Sequence, residues 1–336
     1  MRALVTGATG FVGSHLLDAL VEAGTELTAL VRTPRAATGL LARGIRLVEG
    51  DLDDPGTLRS AAAGQDVIYH CAGVIAARSS AEFMQVNRDG TARLVEAAAD
   101  VSRARVIFVS SLAGVGPCAR GGRRQGDEPP EPVSAYGRSK LAGEQAVRAG
   151  PLPWTIVRPP AVYGPRDTAF LRTFRMLGYG VGAVFGDGAQ ELSLVYAGDL
   201  ARALAAVGRC DTAAGRVFYP CHPEVVTSTA LIESIALAMR ATRADGGGVG
   251  RGAARVRVVK VSRWLAAGVL GVTAAAARLR GSATILNPDK AVELFAPAWT
   301  ADPDPLTAAT GWRAEHDLTS GLAKTAAWYR EAGWLP

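Results

Sequence analysis

A tyrosine and a lysine stand four residues apart in Tyr136-Gly-Arg-Ser-Lys140, and the strand-ending pair Ser110-Ser111 lies upstream of them. Positions i and i+4 share one face of a helix, a turn apart. A free phenol titrates near about 10, too high for a base at neutral pH. A nearby ammonium favours the phenolate and lowers that value. Tyr136 is therefore the expected general acid/base for an alcohol or ketone oxygen. Lys140 is expected to lower its pKa and to hydrogen-bond a nicotinamide ribose. A serine hydroxyl at the strand end is expected to hydrogen-bond the substrate oxygen as charge develops on it.

Such a pair needs a hydride carrier, and the first thirteen residues predict one. Thr6-Gly7-Ala8-Thr9-Gly10-Phe11-Val12-Gly13 follows an apolar strand and opens an apolar helix. Gly7 permits a tight turn, Gly10 lets the backbone approach a pyrophosphate, and Gly13 lets helix and strand pack closely. The helix N-terminus then offers free N–H groups and a partial positive charge to the phosphates. The expected cofactor contacts here are Gly7, Thr9, Gly10, Phe11, Val12 and Gly13.

These residues must be held by a particular scaffold. Apolar strands are expected at 2–5, 26–31, 46–49, 67–71, 105–110 and 154–157, and helices at 12–23, 55–63, 80–100 and 135–149. Short apolar strands alternating with helices predict an α/β fold, a Rossmann-type doubly wound parallel sheet covered on both faces. Ligands of such sheets sit beyond the carboxyl ends of the strands. Residues 1–165 are expected to form the cofactor domain, with 192–220 returning to it. Residues 166–191 and 221–336 are expected to form a smaller C-terminal substrate lobe. In this second half of the chain, 170–177, 197–207, 307–311 and 318–332 read as helical and 192–195 as a short strand. The stretch 178–188 reads as irregular, and Asp-Gly-Gly-Gly-Val-Gly-Arg-Gly at 245–252 as a flexible surface loop.

Bulk composition narrows the class. The 336 residues are 49% hydrophobic and 20% charged, with a formal charge of +6. That is an ordinary globular composition. Lysine occurs only at 140, 260, 290 and 324, so arginine carries the basic excess. Arg120, Arg123 and Arg124 cluster in a glycine-rich stretch without aromatics, which reads as a solvated loop and not as a nucleic-acid site. Cys71, Cys118, Cys210 and Cys221, and four dispersed histidines, show neither metal nor disulfide spacing. Reduced thiols and a first strand that begins at once, without a signal peptide, predict a cytoplasmic protein. Residues 261–279 are apolar but too short to span a bilayer. They are expected to cover the substrate lobe or, alternatively, to lie on a membrane surface.

The chain resembles the extended short-chain dehydrogenase/reductases, also called the NAD-dependent epimerase/dehydratase family. The resemblance rests on the glycine turn, Gly50-Asp51-Leu52, His70-Cys71-Ala72-Gly73, Val86-Asn87-x-x-Gly90-Thr91, Ser110-Ser111, Tyr136-x-x-x-Lys140 and Arg158-Pro159-Pro160-Ala161-Val162-Tyr163-Gly164-Pro165. It implies that Ser111, five residues before Gly116, is the catalytic hydroxyl. It implies adenine contacts at Asp51 and Leu52, a groove lined by Ala72 and Gly73, and a nicotinamide border from Pro159 to Val162. Asn87 matches a family asparagine near the site; holding the local backbone is the alternative role. Homodimers through two helices per subunit, here 80–100 and 135–149, are a further implication.

Two departures bear on substrate. Nucleotide-sugar members carry an asparagine where Ala161 stands and an arginine where Leu192 stands. Their loss makes the chain most similar to the branch containing dihydroflavonol reductases and 3β-hydroxysteroid dehydrogenases, which act on apolar alcohols and ketones. The second strand ends Ala29-Leu30-Val31-Arg32, with Arg35 beyond and no carboxylate. NAD users place an acid there for the ribose hydroxyls. Guanidinium groups suit a 2′-phosphate instead, so NADP is expected, with NAD as the alternative. The expected function is hydride transfer between NADP(H) and a secondary alcohol or ketone on an apolar substrate. A nucleotide-sugar epimerase or dehydratase that retains NAD, and a catalytically silent cofactor-sensing protein, are the alternatives.

Overall fold

The computed structural model describes residues 1–244, 256–280, 283–284 and 288–336. The glycine-rich stretch 245–252 lies outside the described residues. The first half alternates as read from the sequence: β1 (Arg2–Thr6), α1 (Phe11–Glu22), β2 (Glu26–Val31), α2 (Thr38–Leu41), β3 (Arg46–Glu49), α3 (Pro55–Ala62), β4 (Val67–His70), α4 (Ser80–Met84), α5 (Gly90–Ala99), β5 (Arg105–Val109), α6 (Leu112–Val115), α7 (Ala135–Ala149) and β6 (Trp154–Val157). The second half holds β7 (Ala161–Tyr163), α8 (Thr168–Gly178), β8 (Val181–Phe185), β9 (Glu191–Leu192), β10 (Leu194–Tyr196), α9 (Ala197–Arg209), β11 (Val217–Phe218), β12 (Val226–Thr227), α10 (Ser228–Ala244), β13 (Arg257–Val261), α11 (Arg263–Leu279), α12 (Pro288–Leu294), β14 (Ala298–Trp299), α13 (Asp304–Thr310) and α14 (Leu318–Glu331).

The main sheet has seven strands in the order β11-β6-β5-β4-β1-β2-β3, all of them parallel. The strand order reverses between β1 and β4, which makes that crevice the expected ligand site of a doubly wound sheet. Strands buried on both faces must be apolar throughout, and β1 and β4 are buried over nearly their whole length. α1 and α9 cover one face with Leu16, Leu20, Leu200 and Leu204. α3, α5 and α7 cover the other with Leu58, Leu94 and Val147.

The remaining elements build a second core around Tyr163, Phe174, Ile235, Leu322 and Tyr329. Two expectations are corrected in this half. The stretch 178–188 is not irregular throughout, because β8 runs through it and pairs in parallel with β13. Its glycines hid an alternating strand whose partner lies more than seventy residues downstream. The strand expected at 192–195 is two strands parted at Ser193, whose hydroxyl accepts from the Ala301 N–H at 3.1 Å. The helix expected at 80–100 is likewise divided, by a π-helical turn at Gln85–Asp89. Such turns often mark functional sites.

The catalytic-motif helix α7 is fixed to the sheet by a buried ion pair. Glu144 accepts from Arg158 Nε at 2.9 Å and from Arg158 Nη2 at 2.6 Å. The Ser110 hydroxyl donates to the same carboxylate at 2.5 Å, and Arg158 Nη1 donates to the Tyr219 hydroxyl at 2.7 Å. Arg158 and Glu144 are fully buried. Removing one partner of such a pair strands the other charge in the interior, at a cost of about 3–5 kcal/mol. Glu144→Ala is expected to lose that much stability in urea unfolding; a loss below about 1 kcal/mol would contradict the pair's role.

Candidate active site

Every motif singled out in the sequence ends at the carboxyl edge of the parallel sheet. The turn after β1 is tight. Gly7 has φ +68°, and a Cβ there would stand 2.7 Å from Ala72 N. A Cβ on Gly13 would stand 2.1 Å from Gly7 O, so only glycine lets α1 start this close to the strand. The Gly10 N-cap supplies no side-chain cap to α1. By contrast, Asp54 caps α3, Ser134 caps α7 and Asp167 caps α8 with side-chain oxygens. The open N–H groups of α1 and its dipole thus face the crevice, which fits a pyrophosphate. Phe11 and Val12 are half-buried behind this turn, and Thr9 is exposed on it.

Arg32 and Arg35 project from the end of β2, both exposed. Asp51 and Leu52 lie beside them after β3. The Asp51 carboxylate accepts from the Leu52 N–H at 2.6 Å, and Leu52 is buried with its carbonyl held by Arg93 at 2.8 Å. Ala72 and Gly73 follow β4. A Cβ on Gly73 would lie 2.9 Å from Asn87 Oδ1 and 3.7 Å from Lys140 Nζ, so the groove runs directly past the lysine. Pro159 is buried at the end of β6, and Val162 is half-buried in β7. These residues fit a dinucleotide: phosphates at α1, adenosine between Arg32 and Leu52, and the nicotinamide end between Gly73, Lys140 and Pro159.

Ser111, Tyr136 and Lys140 converge at the nicotinamide end. Ser111 is the N-cap of α6; its Oγ accepts from Ala113 N at 3.1 Å, and its hydroxyl favours the charged form of the nearby Tyr136 phenol. Burial pushes Tyr136 up to about 12, against the lowering effect of the nearby Ser111 hydroxyl. The expected lowering by Lys140 is not found: burial, the Ser111 hydroxyl and Glu293 are what act on the phenol. Lys140 Nζ instead donates to the Val109 carbonyl at 2.7 Å and sits 4.6 Å over the Phe108 ring. Burial pulls Lys140 down to about 8, while the Glu144 carboxylate opposes the shift. The phenol is therefore protonated at neutral pH and equipped to give a proton.

Asn87 lies on the π-helical turn and its amide is fully used. It accepts from the Val74 N–H at 2.9 Å and donates to Val74 O at 3.0 Å and Ser139 Oγ at 2.9 Å. These bonds clamp the loop after β4 to helix α7. The sequence reading missed the support behind this edge. His70 bonds Thr6 Oγ1 at 2.7 Å and Thr91 Oγ1 at 2.9 Å, and Thr91 donates to Asn87 O at 2.8 Å. Complete burial holds His70 neutral, its pKa pulled down to about 3. The one available signal was that Thr6, His70 and Thr91 are polar residues inside apolar strand and helix patterns.

A cavity of about 280 Å³ opens beside Tyr136. Ile75, Phe83 and Ala169 form its apolar wall, and Asp289, Lys290 and Glu293 of α12 line the other side. None of the α12 residues was singled out in the sequence, because their approach depends on the fold of the lobe. The Asp289 carboxylate accepts from the Ala135 N–H at 2.9 Å and so ties α12 to the start of α7. A larger open groove of about 560 Å³, near Asp66, Arg103 and Arg105, lies at the opposite end of the strands and away from this chemistry. The basic loop is tied to the protein itself: Arg120 pairs with Asp187 at 3.1 Å and Arg124 donates to Pro117 O at 2.7 Å. All four cysteines are free. Among the described residues, no group of three or more His, Cys, Asp or Glu could hold a metal, and no helix is long and apolar enough to cross a membrane.

A doubly wound sheet with an open glycine turn and a Ser-Tyr-Lys cluster at its switch point defines a nicotinamide-dependent enzyme. Residues 3–218 match the model of the NAD dependent epimerase/dehydratase family, and the chain belongs to that family of oxidoreductases and epimerases. It is 34% identical over 340 residues to the ceramide reductase of Caulobacter vibrioides, covering 99% of this chain and 95% of that one. It is 38% identical over 181 residues to the 4-hydroxy-2-methyl-3-oxo-4-farnesyl-3,4-dihydroquinoline-1-oxide ketoreductase of Stigmatella aurantiaca, covering 51% and 53% of the two chains. Among solved structures it is similar to MoeE5 in complex with UDP-glucuronic acid and NAD, with a TM-score of 0.72, 25% identity, and coverage of 99% of this chain and 100% of that one.

The lowered pKa of Lys140 has a measurable consequence without any ligand. Between about pH 8 and 10.5 the unfolded lysine binds a proton that the folded one does not. Stability of the cofactor-free protein is therefore expected to gain up to about 3 kcal/mol from this group as pH rises through that window. Lys140→Met should remove the gain, seen as a flatter pH dependence of the urea midpoint. Equal slopes for the two proteins would contradict the burial of a charged Lys140.

Proposed function

We propose that this protein reduces a ketone on a long-chain, ceramide-like lipid with NADPH. The observation that carries the reading is the Tyr136 phenol, kept protonated by burial and standing beside Ser111, at a cavity with one apolar wall of Ile75, Phe83 and Ala169. When bound, the reduced nicotinamide supplies a hydride to the carbonyl carbon. Ser111 holds the carbonyl oxygen, and Tyr136 gives it a proton as negative charge develops. Lys140 leaves Val109 O to hold the ribose and, as a cation beside the phenol, steadies the charge left on Tyr136. Asn87 keeps the loop carrying Gly73 and Val74 against α7, so that groove and lysine stay in register.

Four observations support the details. Arg32 and Arg35 stand where a carboxylate would select NAD, which favours a 2′-phosphate. Ile75 and Phe83 suit an acyl or isoprenoid chain. The similarity to the ceramide reductase runs over almost the whole of both chains. Ala161 and Leu192 stand where nucleotide-sugar enzymes carry polar ligands, which counts against the epimerase reading that the likeness to MoeE5 raises. The same reading puts the enzyme in the cytoplasm, where thiols stay reduced, as a homodimer through the α4–α5 segment and α7.

Two measurements test it. NADPH is expected to bind at least about tenfold more tightly than NADH in a fluorescence titration, and Arg32→Asp with Arg35→Ser should abolish the preference. Equal affinities, or NAD retained through purification, would favour the epimerase reading. Tyr136→Phe is expected to lower turnover about 10²–10⁴-fold with NADPH affinity preserved. Turnover retained with binding lost would remove Tyr136 from the chemistry.

A further inference from the structure

From Trp264 to Ala275, helix α11 carries apolar residues on every side, yet only one side is buried. Ala266, Leu270 and Ala274, spaced by four, are buried against the protein. Trp264 is 89% exposed and Val272 71% exposed, with Leu265 and Val269 beside them. At about 100° per residue these four side chains fall on one arc opposite the buried stripe. The sequence places no charged residue between Arg263 and Arg278. The one hydroxyl in that stretch, Thr273, turns back onto Val269 O at 2.9 Å and Leu270 O at 3.0 Å. A helix apolar all round belongs in a core or in lipid, and a large exposed apolar patch marks an interaction surface.

Charge identifies what covers it. From residue 246 to residue 288 the sequence contains no Asp or Glu and seven Arg or Lys. Arg257, Lys260, Arg263 and Arg280 among them are exposed at or near the ends of the helix. A second copy packed across a two-fold axis would bring these cations against one another. An anionic bilayer answers both features: apolar side chains enter the acyl boundary while the flanking cations meet headgroups, and Trp264 sits at the interface. Seventeen residues are too few to span a bilayer, so the helix lies in its plane.

We propose that α11 docks this enzyme onto the surface of an anionic lipid bilayer through Trp264, Leu265, Val269 and Val272. The docked helix packs on α12, whose Asp289, Lys290 and Glu293 line the cavity beside Tyr136. The membrane face is thus one helix away from the chemistry. The docking stands on the surface itself; its purpose, delivery of a lipid ketone from the bilayer, rests on the function proposed above.

The test is flotation of the full chain with phosphatidylcholine vesicles, with and without phosphatidylglycerol. The protein is expected to float with the anionic vesicles, to bind neutral ones weakly, and to be released by salt. Trp264→Ser combined with Val272→Ser should weaken binding at least about tenfold, and Lys260→Gln with Arg263→Gln should remove the preference for anionic lipid. Both variants should keep the melting temperature and NADPH affinity of the parent. Failure to float, or flotation unchanged by the apolar substitutions, overturns the proposal. So does a dimer seen in sedimentation that the apolar substitutions dissolve, because a second copy would then own the face. If the protein floats but reduces no lipid ketone, the proposed function fails and the docking stands. If it reduces a lipid ketone in detergent and does not float, the reverse holds.

Discussion

The buried pair Arg158–Glu144 is the constraint on which the site depends. Helix α7 must carry Tyr136 and Lys140 to the carboxyl edge of the sheet within a fraction of an ångström, and Glu144 lies one turn beyond Lys140 on the same side of that helix. Its carboxylate is held by a guanidinium from the end of β6 and by the Ser110 hydroxyl from the end of β5. Three elements are thereby locked at the point where Ser111 leaves the sheet. The same carboxylate favours the charged form of Lys140 against burial. One interaction therefore fixes geometry and tunes charge, which couples the stability of the fold to its chemistry.

The electrostatics of the edge suit an enzyme that donates a proton. A fully dry Tyr-Lys pair would hold a neutral phenol and a weakened ammonium, and burial moves both groups in those directions. A dinucleotide held at the N-terminus of α1 would change the balance, because its ribose would offer Lys140 hydroxyl partners in place of Val109 O. Behind the edge, the neutral chain Thr6–His70–Thr91 carries no charge that could compete with these groups. It links the glycine turn of β1 to the Asn87 clamp by hydrogen bonds alone.

Much of this was legible in the sequence because the features are local. Gly7 encodes a positive φ and Gly13 a close contact with Gly7 O within the first turn, and Tyr136 and Lys140 need only a helix to share a face. The parallel sheet followed from apolar runs whose burial on both faces leaves no polar alternation. What escaped depends on contacts between distant segments. β8 needs β13 to exist as a strand, and the α12 side chains reach the cavity only through the fold of the lobe. Glu144 and Arg158 each look like surface residues until their pairing is known. The ligand-free position of Lys140 also escaped, since spacing along a helix fixes the face of a side chain and not the partner its terminus selects.

The account joins a hydride-transfer site to a cavity with one apolar wall and to an apolar outer helix. Its central claim is that hydride and proton reach a ketone on a lipid. The most direct measurement is mass spectrometry of the product formed from a ceramide-like ketone and NADPH carrying deuterium at the transferable position. The account predicts one deuterium on the new alcohol carbon with the native enzyme, and no product above background with Tyr136→Phe. Absence of deuterium transfer to any lipid ketone, together with inversion of a nucleotide sugar on tightly held NAD without net redox change, would contradict it.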